Sequence, residues 1–339
     1  MRIFMTRGEG GLDNLRLEEA PAPGPVGPGQ IRVAMRAASL NYRDLLWMRG
    51  EFGPPGPGGL IPCSDGAGEV IETGPGTRRF RAGDRVALIF NPDWIGGPFP
   101  LTAGGLGRGS LALPGTLQDE IVVQEGEAVR IPDHLSYAEA ACFPCAGVTA
   151  WNALTEARPL LPGMTVVTQG GGGVSLFALQ FAKLFGARVI MTSSSPERCE
   201  RLKAMGADAA IDYRADPDWH VRVKELTGGI GADLTLDIGG AETVDRSLAS
   251  TRVGGRLALI GLISGWPNAA SALFSSGVDI TPIKVGSRDD YENINRAVAF
   301  HGLRPHISAS YEFEELPEAL AALKEGRHLG KIVLTFGAI

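Results

Sequence analysis

Residues Thr165–Ser175 read TVVTQGGGGVS. The first five residues, Thr165–Gln169, form an apolar, β-branched run that predicts a buried strand. The apolar spacing of Val174–Phe185 predicts a helix directly after four consecutive glycines, Gly170–Gly173. A glycine-rich turn that opens a helix presents backbone N–H groups and a partial positive charge to an anion. The order of strand, glycine turn and helix therefore predicts a phosphate-binding turn.

The glycines fit the spacing used for dinucleotides. Gly170 and Gly172 take the first two glycine positions of the pattern G-x-G-x-x-G, and the small residue Ser175 takes the third. Gly173 and Val174 begin the helix whose N-terminus would face the pyrophosphate. The simpler alternative is a flexible turn, but this turn lies between a buried strand and an amphipathic helix. We therefore assign a dinucleotide-binding role to Gly170, Gly172, Gly173 and Val174.

Strands and helices continue to alternate after this turn, an order typical of a parallel sheet covered on both faces. Right-handed crossovers make such a sheet a doubly wound, Rossmann-type domain. The predicted strands are Thr165–Gln169, Arg188–Thr192, Ala209–Asp212, Asp233–Ile238 and Arg256–Gly261. The predicted helices between them are Val174–Phe185, Pro196–Met205, Pro217–Thr227 and Ala241–Ser250.

The end of the second strand of this domain indicates which dinucleotide binds. NAD sites usually carry Asp or Glu about twenty residues after the glycines, where it bonds the ribose 2′-hydroxyl. Met191–Arg198 reads MTSSSPER and places Ser193, Ser194 and Arg198 there, with no acid at the strand end. Because arginine offers charge-assisted hydrogen bonds to a 2′-phosphate, these residues favour NADP(H). The alternative is a serine N-cap, a proline at the first helical position and a solvated arginine, and both interpretations can hold together.

The chain before residue 126 has a different character, with strand-like runs and turns rich in glycine and proline. Asn91–Thr116 is a long loop, and its length is more typical of a functional loop than of a connector. After the Rossmann domain, two helices and the strand Lys331–Phe336 are expected to rejoin the first domain. The predicted organisation is a β-rich domain from residues 1–125 and 286–339, interrupted by a dinucleotide-binding domain at 126–285.

Composition restricts the classes of partner. The chain has 339 residues, 32 Lys and Arg against 38 Asp and Glu, and a net charge of −6. Because phosphate-driven binding needs a basic surface, this charge disfavours nucleic acids and anionic membranes as partners. Four cysteines exclude a disulfide framework and favour a reducing compartment. No targeting or membrane-spanning stretch is evident, so we expect a cytoplasmic protein.

Motifs along almost the whole chain resemble those of the medium-chain dehydrogenase/reductase superfamily. They are NYRD at Asn41–Asp44, PCSDGAGEV at Pro62–Val70, GDRV at Gly83–Val86, PCAGVTAW at Pro144–Trp151 and GKIVL at Gly330–Leu334. The resemblance implies a GroES-like, β-rich substrate domain joined to a Rossmann domain, with the cofactor in the cleft between them. It also implies an α/β oxidoreductase that uses a nicotinamide cofactor.

Zinc alcohol dehydrogenases of this superfamily hold catalytic zinc with two cysteines and a histidine. Carried over on the motifs, these ligand positions are Asn41, Ser64 and Cys145, of which only the cysteine is a good ligand. The loop Asn91–Thr116 also lacks the cysteines of a structural zinc lobe. Cys142 and Cys145 form a lone CxxC, which is more typical of two buried thiols in a helical turn than of a metal or redox pair. The sequence therefore predicts no bound zinc.

Without these ligands, the sequence resembles the zinc-free quinone oxidoreductase (zeta-crystallin-like) branch of the superfamily. That branch reduces quinones or activated double bonds with NADPH. Two of its phosphate-binding positions map onto Arg198 and Tyr213, although Tyr213 has an ordinary strand-end aromatic as its alternative. The long loop Asn91–Thr116 departs from the branch and leaves the identity of the substrate open.

The resemblance implies two further groups of cofactor contacts. The residues expected against the nicotinamide are Thr149, Gly261, Leu262 and Ile263. The residues expected against the phosphates are Ser287, Arg288 and Lys331. Interface or surface roles are the alternative for the second group.

Reduction without a metal needs hydrogen-bond donors for the oxyanion that develops on the substrate. Asn41, Tyr42 and Ser64 are the candidate catalytic donors, and a packing role is the alternative for each. No dedicated proton donor is identifiable, so solvent is the expected source of the proton. This favours reduction of a quinone or enone over oxidation of an alcohol, which needs an activated alkoxide.

Three functions remain open from the sequence. The first is an NADPH-dependent reductase of a small quinone or α,β-unsaturated carbonyl. The second is an alcohol or aldehyde dehydrogenase of the same fold that acts without zinc, and the third is a non-catalytic NADPH-binding protein. Ile280–Val285 reads as an apolar strand at the edge of the Rossmann sheet, and an uncovered edge favours pairing in a homodimer.

Overall fold

A computed structural model describes residues 1–100, 106–156, 158–261, 263–265 and 275–337. The chain divides into two compact units, one formed by Met1–Val148 with Val285–Ile339 and the other by Thr149–Lys284. Among the described residues, no helix is long and apolar enough to cross a membrane.

The elements of both units are numbered here in chain order. The strands are β1 (Arg2–Gly8), β2 (Leu15–Glu19), β3 (Gln30–Leu40), β4 (Gly56–Leu60), β5 (Asp65–Thr73), β6 (Arg85–Leu88), β7 (Glu120–Gln124), β8 (Ala128–Arg130), β9 (Thr165–Gln169), β10 (Arg188–Ser193), β11 (Ala209–Asp212), β12 (Ala232–Asp237), β13 (Thr251–Leu259), β14 (Asp279–Pro282), β15 (Ile307–Glu312) and β16 (Lys331–Thr335). The α-helices are α1 (Tyr42–Met48), α2 (Tyr137–Ala140), α3 (Val148–Thr155), α4 (Gly173–Leu184), α5 (Pro196–Ala204), α6 (Trp219–Leu226), α7 (Val244–Ser250), α8 (Arg288–His301) and α9 (Leu316–Glu325).

The first unit is built around β3, the longest strand of its seven-stranded sheet. The strand order is β15-β16-β3-β5-β6-β8, with β7 also paired to β3. β16 is antiparallel to β3, with Ile332 opposite Leu40 and Val333 opposite Ser39. Leu316 and Leu320 of α9 join the same apolar core as Val33 of β3. In the structure the tail of the chain belongs to this first unit.

The second unit holds a six-stranded parallel sheet in the order β11-β10-β9-β12-β13-β14. Counted within the unit, this is the order 3-2-1-4-5-6 of a Rossmann fold. The strand order reverses between β9 and β12, and ligands of such sheets bind at the carboxyl ends of the strands at this reversal. The predicted fold class, a GroES-like β-rich domain plus a doubly wound sheet, is confirmed.

The first unit boundary lies at Val148–Thr149, later in the chain than the predicted residue 125. The reason is that β8 pairs with β6 in the first sheet, with Val129 opposite Ala87. Tyr291 of α8 also donates a hydrogen bond to Ala140 O at 3.0 Å, which ties α2 to the first unit. The second boundary, at Lys284–Val285, is one residue from the predicted position.

Two helical segments, around residues 137–155 and 241–250, are interrupted or shortened in the structure. A π-helical turn at Phe143–Gly147 separates α2 from α3, because Pro144 has no N–H with which to continue the helix from Ala140. The last helix of the Rossmann sheet begins at Val244 rather than Ala241. There Asp237 accepts hydrogen bonds from Gly240 N and Thr243 Oγ1, which hold the preceding residues in a turn.

The strand predicted at Ile280–Val285 is β14, which spans Asp279–Pro282 and pairs with β13 alone among the described strands. Pro282 lacks the N–H that would extend the ladder, which accounts for the early end. The edge position agrees with the prediction, and pairing across this edge in a homodimer stays a prediction.

Candidate active site

The glycine turn follows the carboxyl end of β9 and leads into α4. Gly170 has a φ of +72°, a conformation that favours glycine. Gly172 caps the helix with an ordinary φ of −73°, and no described atom lies within 4 Å of the position its Cβ would take. Packing within the unit therefore does not require glycine at position 172. Close approach of a ligand to the backbone of the turn would require it. Ser175 Oγ donates to Gln169 O at 2.5 Å and fixes the helix against the strand.

Gly172→Ala is predicted to weaken NADPH binding while leaving the fold intact. The added methyl group has free space in the protein, and loss of a glycine N-cap costs the helix only about 1 kcal/mol. The same methyl group would occupy the approach to the turn, so the dissociation constant should rise at least about tenfold. Titration by fluorescence and thermal unfolding of both forms would check this, with the exposed loop variant Gly24→Ala as control. Unchanged NADPH affinity would show that the turn does not approach the cofactor.

A second polar group gathers at the carboxyl ends of β10 and β11. Arg198 Nε donates to Ser193 Oγ at 3.3 Å, and Tyr213 N donates to Ser193 O at 2.9 Å. Ser195 caps α5 by accepting from Arg198 N at 3.3 Å, so the serine cap forms as the alternative interpretation required. Ser194 is half-buried beside them, and Tyr213 is 41% exposed. The structure brings these predicted 2′-phosphate residues together at the N-terminus of a helix, which favours an anion.

Partial burial lowers the pKa of Arg198, with the nearby Arg201 as a second cause. A guanidinium that has lost some hydration gains more from an anionic ligand than a fully solvated one does. The residues present therefore fit a phosphorylated ribose.

At the strand-order reversal, a polar network that the sequence did not predict joins β9 to β12. Gln169 Nε2 donates to Ser247 Oγ at 2.6 Å, and its Oε1 accepts from Ile238 N and Gly239 N at 3.0 and 3.1 Å. Ser247 in turn donates to Asp237 Oδ2 at 2.5 Å. The sequence signal for this network was the presence of polar residues at the ends of two neighbouring parallel strands. The network fixes the backbone at the point where ligands of this fold bind.

The predicted nicotinamide residues are placed as follows. A Cβ on Gly261 would lie 1.7 Å from Ile238 O, so close packing of the strand ends already requires glycine there. Ile263 is exposed, Thr149 is buried at the start of the second unit, and Leu262 lies outside the described residues. Their contacts with the cofactor stay predictions.

In the first unit, a buried polar cluster includes Asn41 and Ser64, two of the three positions at which the resemblance places zinc ligands. Lys331 Nζ donates to Asn41 Oδ1 at 2.5 Å and to Leu40 O at 2.7 Å. Ser64 Oγ donates to Asp65 Oδ1 at 2.8 Å, and Asp65 Oδ2 lies 3.8 Å from Lys331 Nζ. Asn41 is only half-buried, whereas Ser64, Asp65 and Lys331 are buried. We refer to Asn41, Ser64, Asp65 and Lys331 as the polar cluster.

Asn41 is the one half-buried residue of the cluster. Asn41 Nδ2 lies 3.4 Å from Ser39 O and 3.4 Å from Ser64 Oγ, and the Asn41 side chain also interacts with the Asp65 carboxylate. Both distances are long for hydrogen bonds, so the amide can still donate a shorter one to a ligand. The hydrogen of Ser64 is committed to Asp65, and Tyr42 is 39% exposed at the first position of α1. Among the predicted oxyanion donors, Asn41 is therefore the best placed by its contacts.

The Asn41 amide is close to the buried carboxylates of Asp65 and Asp44 and to the buried ammonium of Lys331. Burial raises the pKa of Asp65, and Lys331 with the side chains of Asn41 and Ser64 counteracts the rise. Burial also raises the pKa of Asp44 to about 6, although Arg43 opposes it. Asp44 Oδ2 accepts from Asn41 N at 2.8 Å, which fixes the backbone of Asn41 at the start of α1.

The residues predicted to contact the phosphates from the first unit have structural contacts of their own. Ser287 caps α8 and exchanges hydrogen bonds with Asp290, and Arg288 Nη1 donates to Gly126 O at 3.3 Å. Lys331 is held by the polar cluster, with 3% of its side chain exposed. A phosphate role for these three residues stays a prediction, and the capping and cluster contacts explain their presence without it.

The long loop is fixed at its base by two arginines. Arg43 donates to Arg108 O at 2.9 Å and to Leu106 O at 2.6 Å, and its guanidinium lies 4.9 Å from the centre of the Phe90 ring. The fully buried Arg108 pairs with Glu127 at 2.5 Å. The part of the loop next to α1 is thereby held beside the helix that Asn41 begins.

The cysteines do not supply a zinc site. Burial raises the pKa of Cys142 to about 12 and raises that of Cys63 and Cys145 further, so in the metal-free protein all three are thiols. Cys145 N donates to Asp65 Oδ2 at 3.2 Å, which places the Cys145 backbone beside the polar cluster. Across the described ranges, no three His, Cys, Asp or Glu side chains form a group that could hold a metal ion. The residues present do not fit catalytic zinc.

We predict that protein purified without added metal contains far less than one zinc ion per chain. Asn41 and Ser64 replace two of the three ligands that catalytic zinc needs. Elemental analysis by mass spectrometry would check the zinc content against that of a zinc dehydrogenase purified in parallel. Stoichiometric zinc, lost together with activity in Cys145→Ala, would overturn this prediction.

The second unit has a glycine turn of the dinucleotide-binding type, and the first unit has a polar cluster on a GroES-like sheet. Together they define a nicotinamide-dependent oxidoreductase of the medium-chain type. Comparison with known proteins agrees, and the chain belongs to the medium-chain dehydrogenase/reductase superfamily. Residues 27–133 match the alcohol dehydrogenase GroES-like domain, and residues 173–302 match the zinc-binding dehydrogenase domain.

Individual relatives include both alcohol dehydrogenase-like and quinone oxidoreductase proteins. A zinc-type alcohol dehydrogenase-like protein of Schizosaccharomyces pombe is 34% identical, with 96% of each chain covered. The crystal structure of a putative alcohol dehydrogenase from Sinorhizobium meliloti is 40% identical, with a TM-score of 0.90 and coverage of 99% and 98%. A quinone oxidoreductase of Pseudomonas syringae is 26% identical, with a TM-score of 0.80 and coverage of 98% and 99%. A 28% identical mycobacterial structure, with a TM-score of 0.83 and coverage of 99% and 100%, is a complex with NADPH.

Proposed function

We propose that this protein is an NADPH-dependent reductase that transfers hydride to a quinone or an α,β-unsaturated carbonyl without zinc. The observation that carries the proposal is the polar cluster. At the positions of two zinc ligands it places an amide and a hydroxyl, and behind the amide it places a buried lysine bonded to Asn41 Oδ1. Such a cluster can donate hydrogen bonds but cannot act as a metal Lewis acid.

The proposed chemistry follows from where negative charge develops. Conjugate addition of hydride to an enone, or hydride addition to a quinone, breaks a π bond and leaves charge on a carbonyl oxygen. Asn41 Nδ2 is the donor placed to stabilise that oxygen, since its present contacts are both 3.4 Å long. A proton from solvent completes the reduction to a ketone or hydroquinone, so no buried acid is required.

The cofactor residues of the proposal lie in the second unit. NADPH, when bound, supplies the hydride. Gly170, Gly172 and the N-terminus of α4 would hold the pyrophosphate, as the open space at the Cβ position of Gly172 supports. Ser193, Arg198 and Tyr213 would hold the 2′-phosphate, as their mutual contacts support.

A zinc-free alcohol or aldehyde dehydrogenase is the second candidate. The hydrogen bond of 2.8 Å from Ser64 Oγ to Asp65 Oδ1 favours it, because a hydroxyl paired with a carboxylate can accept a proton from an alcohol. Both groups are fully buried, however, and Asp65 also lies 3.8 Å from Lys331 Nζ, which opposes a role as base. We therefore rank the reductase first.

Turnover with a panel of acceptors would test the proposal and also separate it from a non-catalytic NADPH-binding protein. Consumption of NADPH is followed with quinones, enones, aldehydes and, in the reverse direction, alcohols with NADP⁺. The proposal expects the highest rates with quinones or enones. NADPH binding without turnover on any acceptor would instead indicate the non-catalytic function.

A further inference from the structure

We propose that Lys331 is a positioning residue that sets the orientation of the Asn41 side-chain amide for reduction. The inference rests on the proposed function of Asn41 as oxyanion donor. It concerns a lysine that lies 290 residues later in the chain and starts the strand β16.

An asparagine side chain can present either its oxygen or its NH₂ group to a ligand, and the difference between them reverses its role. Lysine has three donors and no acceptor, so an ammonium on one side of the amide selects the oxygen for that side. Lys331 Nζ lies 2.5 Å from Asn41 Oδ1. The NH₂ group is thereby turned toward Ser39 O and Ser64 Oγ, where its hydrogen bonds are long.

The ammonium itself has little freedom. It donates to Leu40 O at 2.7 Å, lies 3.8 Å from Asp65 Oδ2, and belongs to a side chain that is 3% exposed. Leu40 is the last residue of β3, and β3 pairs with β16 with Ile332 opposite Leu40. The two strands therefore carry Lys331 and Asn41 to the same end of the sheet, and the backbone carbonyl of Leu40 holds the ammonium beside the amide.

The positive charge also acts through the amide. A cation bonded to the amide oxygen increases the polarity of the N–H bonds, which makes the amide a better donor to an oxyanion. A neutral group at position 331 would remove the charged partner of the amide oxygen and leave only the weaker capping contact with the Asp44 backbone to orient it. The amide would then more often present its oxygen to the developing negative charge, and the two would repel each other.

The first test is kinetic and uses a double-mutant cycle with Lys331→Met, Asn41→Ala and the combined variant. We expect Lys331→Met to lower kcat with the best acceptor roughly tenfold or more, the effect of losing an orienting partner elsewhere. KM and the NADPH dissociation constant should stay close to those of the unchanged protein. In the Asn41→Ala background, the same substitution should cost less than about twofold, because the residue it positions is absent. The exposed α9 variant Lys324→Met is the control.

Lys331→Arg keeps a cationic donor and should recover part of the lost turnover. It also decides the matter if Lys331→Met does not fold. A cost of Lys331→Met that is undiminished in the Asn41→Ala background would overturn the proposal, and so would a folded Lys331→Arg without any recovery. A rise in the NADPH dissociation constant with kcat retained would assign Lys331 to the phosphates instead.

The second test does not depend on turnover. With asparagine ¹⁵N-labelled protein, the side-chain amide signals of Asn41 are identified by their loss in Asn41→Ala. We expect Lys331→Met to shift these signals and Lys324→Met to leave them in place. Unshifted signals would contradict the positioning role even in an active enzyme. Shifted signals in a protein that reduces no acceptor would leave the positioning intact and refute the proposed function.

Discussion

Replacing Asn41 by alanine is expected to lower turnover with the best quinone or enone about 100- to 1,000-fold, the usual cost of one oxyanion donor. The reason is that Asn41 is the half-buried residue of the polar cluster and its Nδ2 has only long hydrogen bonds of 3.4 Å, whereas Ser64 already donates to Asp65. NADPH affinity should stay nearly unchanged, since the residues assigned to the pyrophosphate and 2′-phosphate lie in the second unit. Steady-state kinetics together with a separate binding titration would check both expectations.

The matched control is Asn14→Ala, which removes an exposed asparagine of the same unit whose Nδ2 donates to Gly10 O at 2.6 Å. It should leave turnover within about twofold of the unchanged protein, as most exposed substitutions have small effects. Turnover of Asn41→Ala at the level of Asn14→Ala would show that the amide does not stabilise the oxyanion.

Replacing Arg198 by alanine is expected to weaken NADPH binding roughly 10- to 150-fold while NADH binding hardly changes. A hydrogen bond to a charged group contributes about 1.5–3 kcal/mol, and only NADPH carries the 2′-phosphate that would receive it. The guanidinium is already in place through its contact with Ser193 Oγ at 3.3 Å. Titrations of both cofactors against both proteins would measure the difference.

Arg222→Ala is a suitable control, because this exposed arginine of α6 pairs with Glu225 and lies outside the residues assigned to the cofactor. Its effect on both cofactors should be small. Equal losses of NADPH and NADH affinity in Arg198→Ala would show that Arg198 supports the site in general and does not distinguish the two cofactors.

Much of the second unit could be predicted from the sequence, because its signals are local. The run of glycines after the apolar Thr165–Gln169 marks one strand, one turn and one helix within twenty residues, and the alternation repeats this unit. One of the two helices predicted after the Rossmann domain is Leu316–Glu325, which ends where Gly326 takes the left-handed conformation.

The features that were missed depend on contacts between residues far apart in the chain. Lys331 meets Asn41 across 290 residues because β16 pairs with β3, and a sequence shows strands more readily than it shows their partners. The sequence alone therefore predicts a phosphate contact for Lys331 and a substrate contact for Asn41, with no link between the two residues. Gln169 and Ser247 meet for a similar reason, through the adjacency of β9 and β12 in a sheet whose strand order reverses between them.

The first unit boundary shows the same limitation. The sequence predicts that the Rossmann domain begins at residue 126. The short strand Ala128–Arg130 nevertheless completes the first sheet by pairing with β6, a contact that a three-residue strand does not reveal in its own sequence. Pro144 gave a visible signal for the break between α2 and α3, since proline cannot continue the hydrogen bonds of a helix.

The measurement that tests the central claim most directly compares two reactions of the same purified protein at one pH. Quinone or enone reduction with NADPH is set against oxidation of primary alcohols with NADP⁺, each at saturating cofactor. A zinc enzyme forms alkoxide by lowering the pKa of a metal-bound oxygen, and here an amide and a hydroxyl, Asn41 and Ser64, take the place of two of its ligands. The account predicts faster reduction of the quinone or enone, with that rate lost in Asn41→Ala. Alcohol oxidation faster than quinone reduction would contradict it.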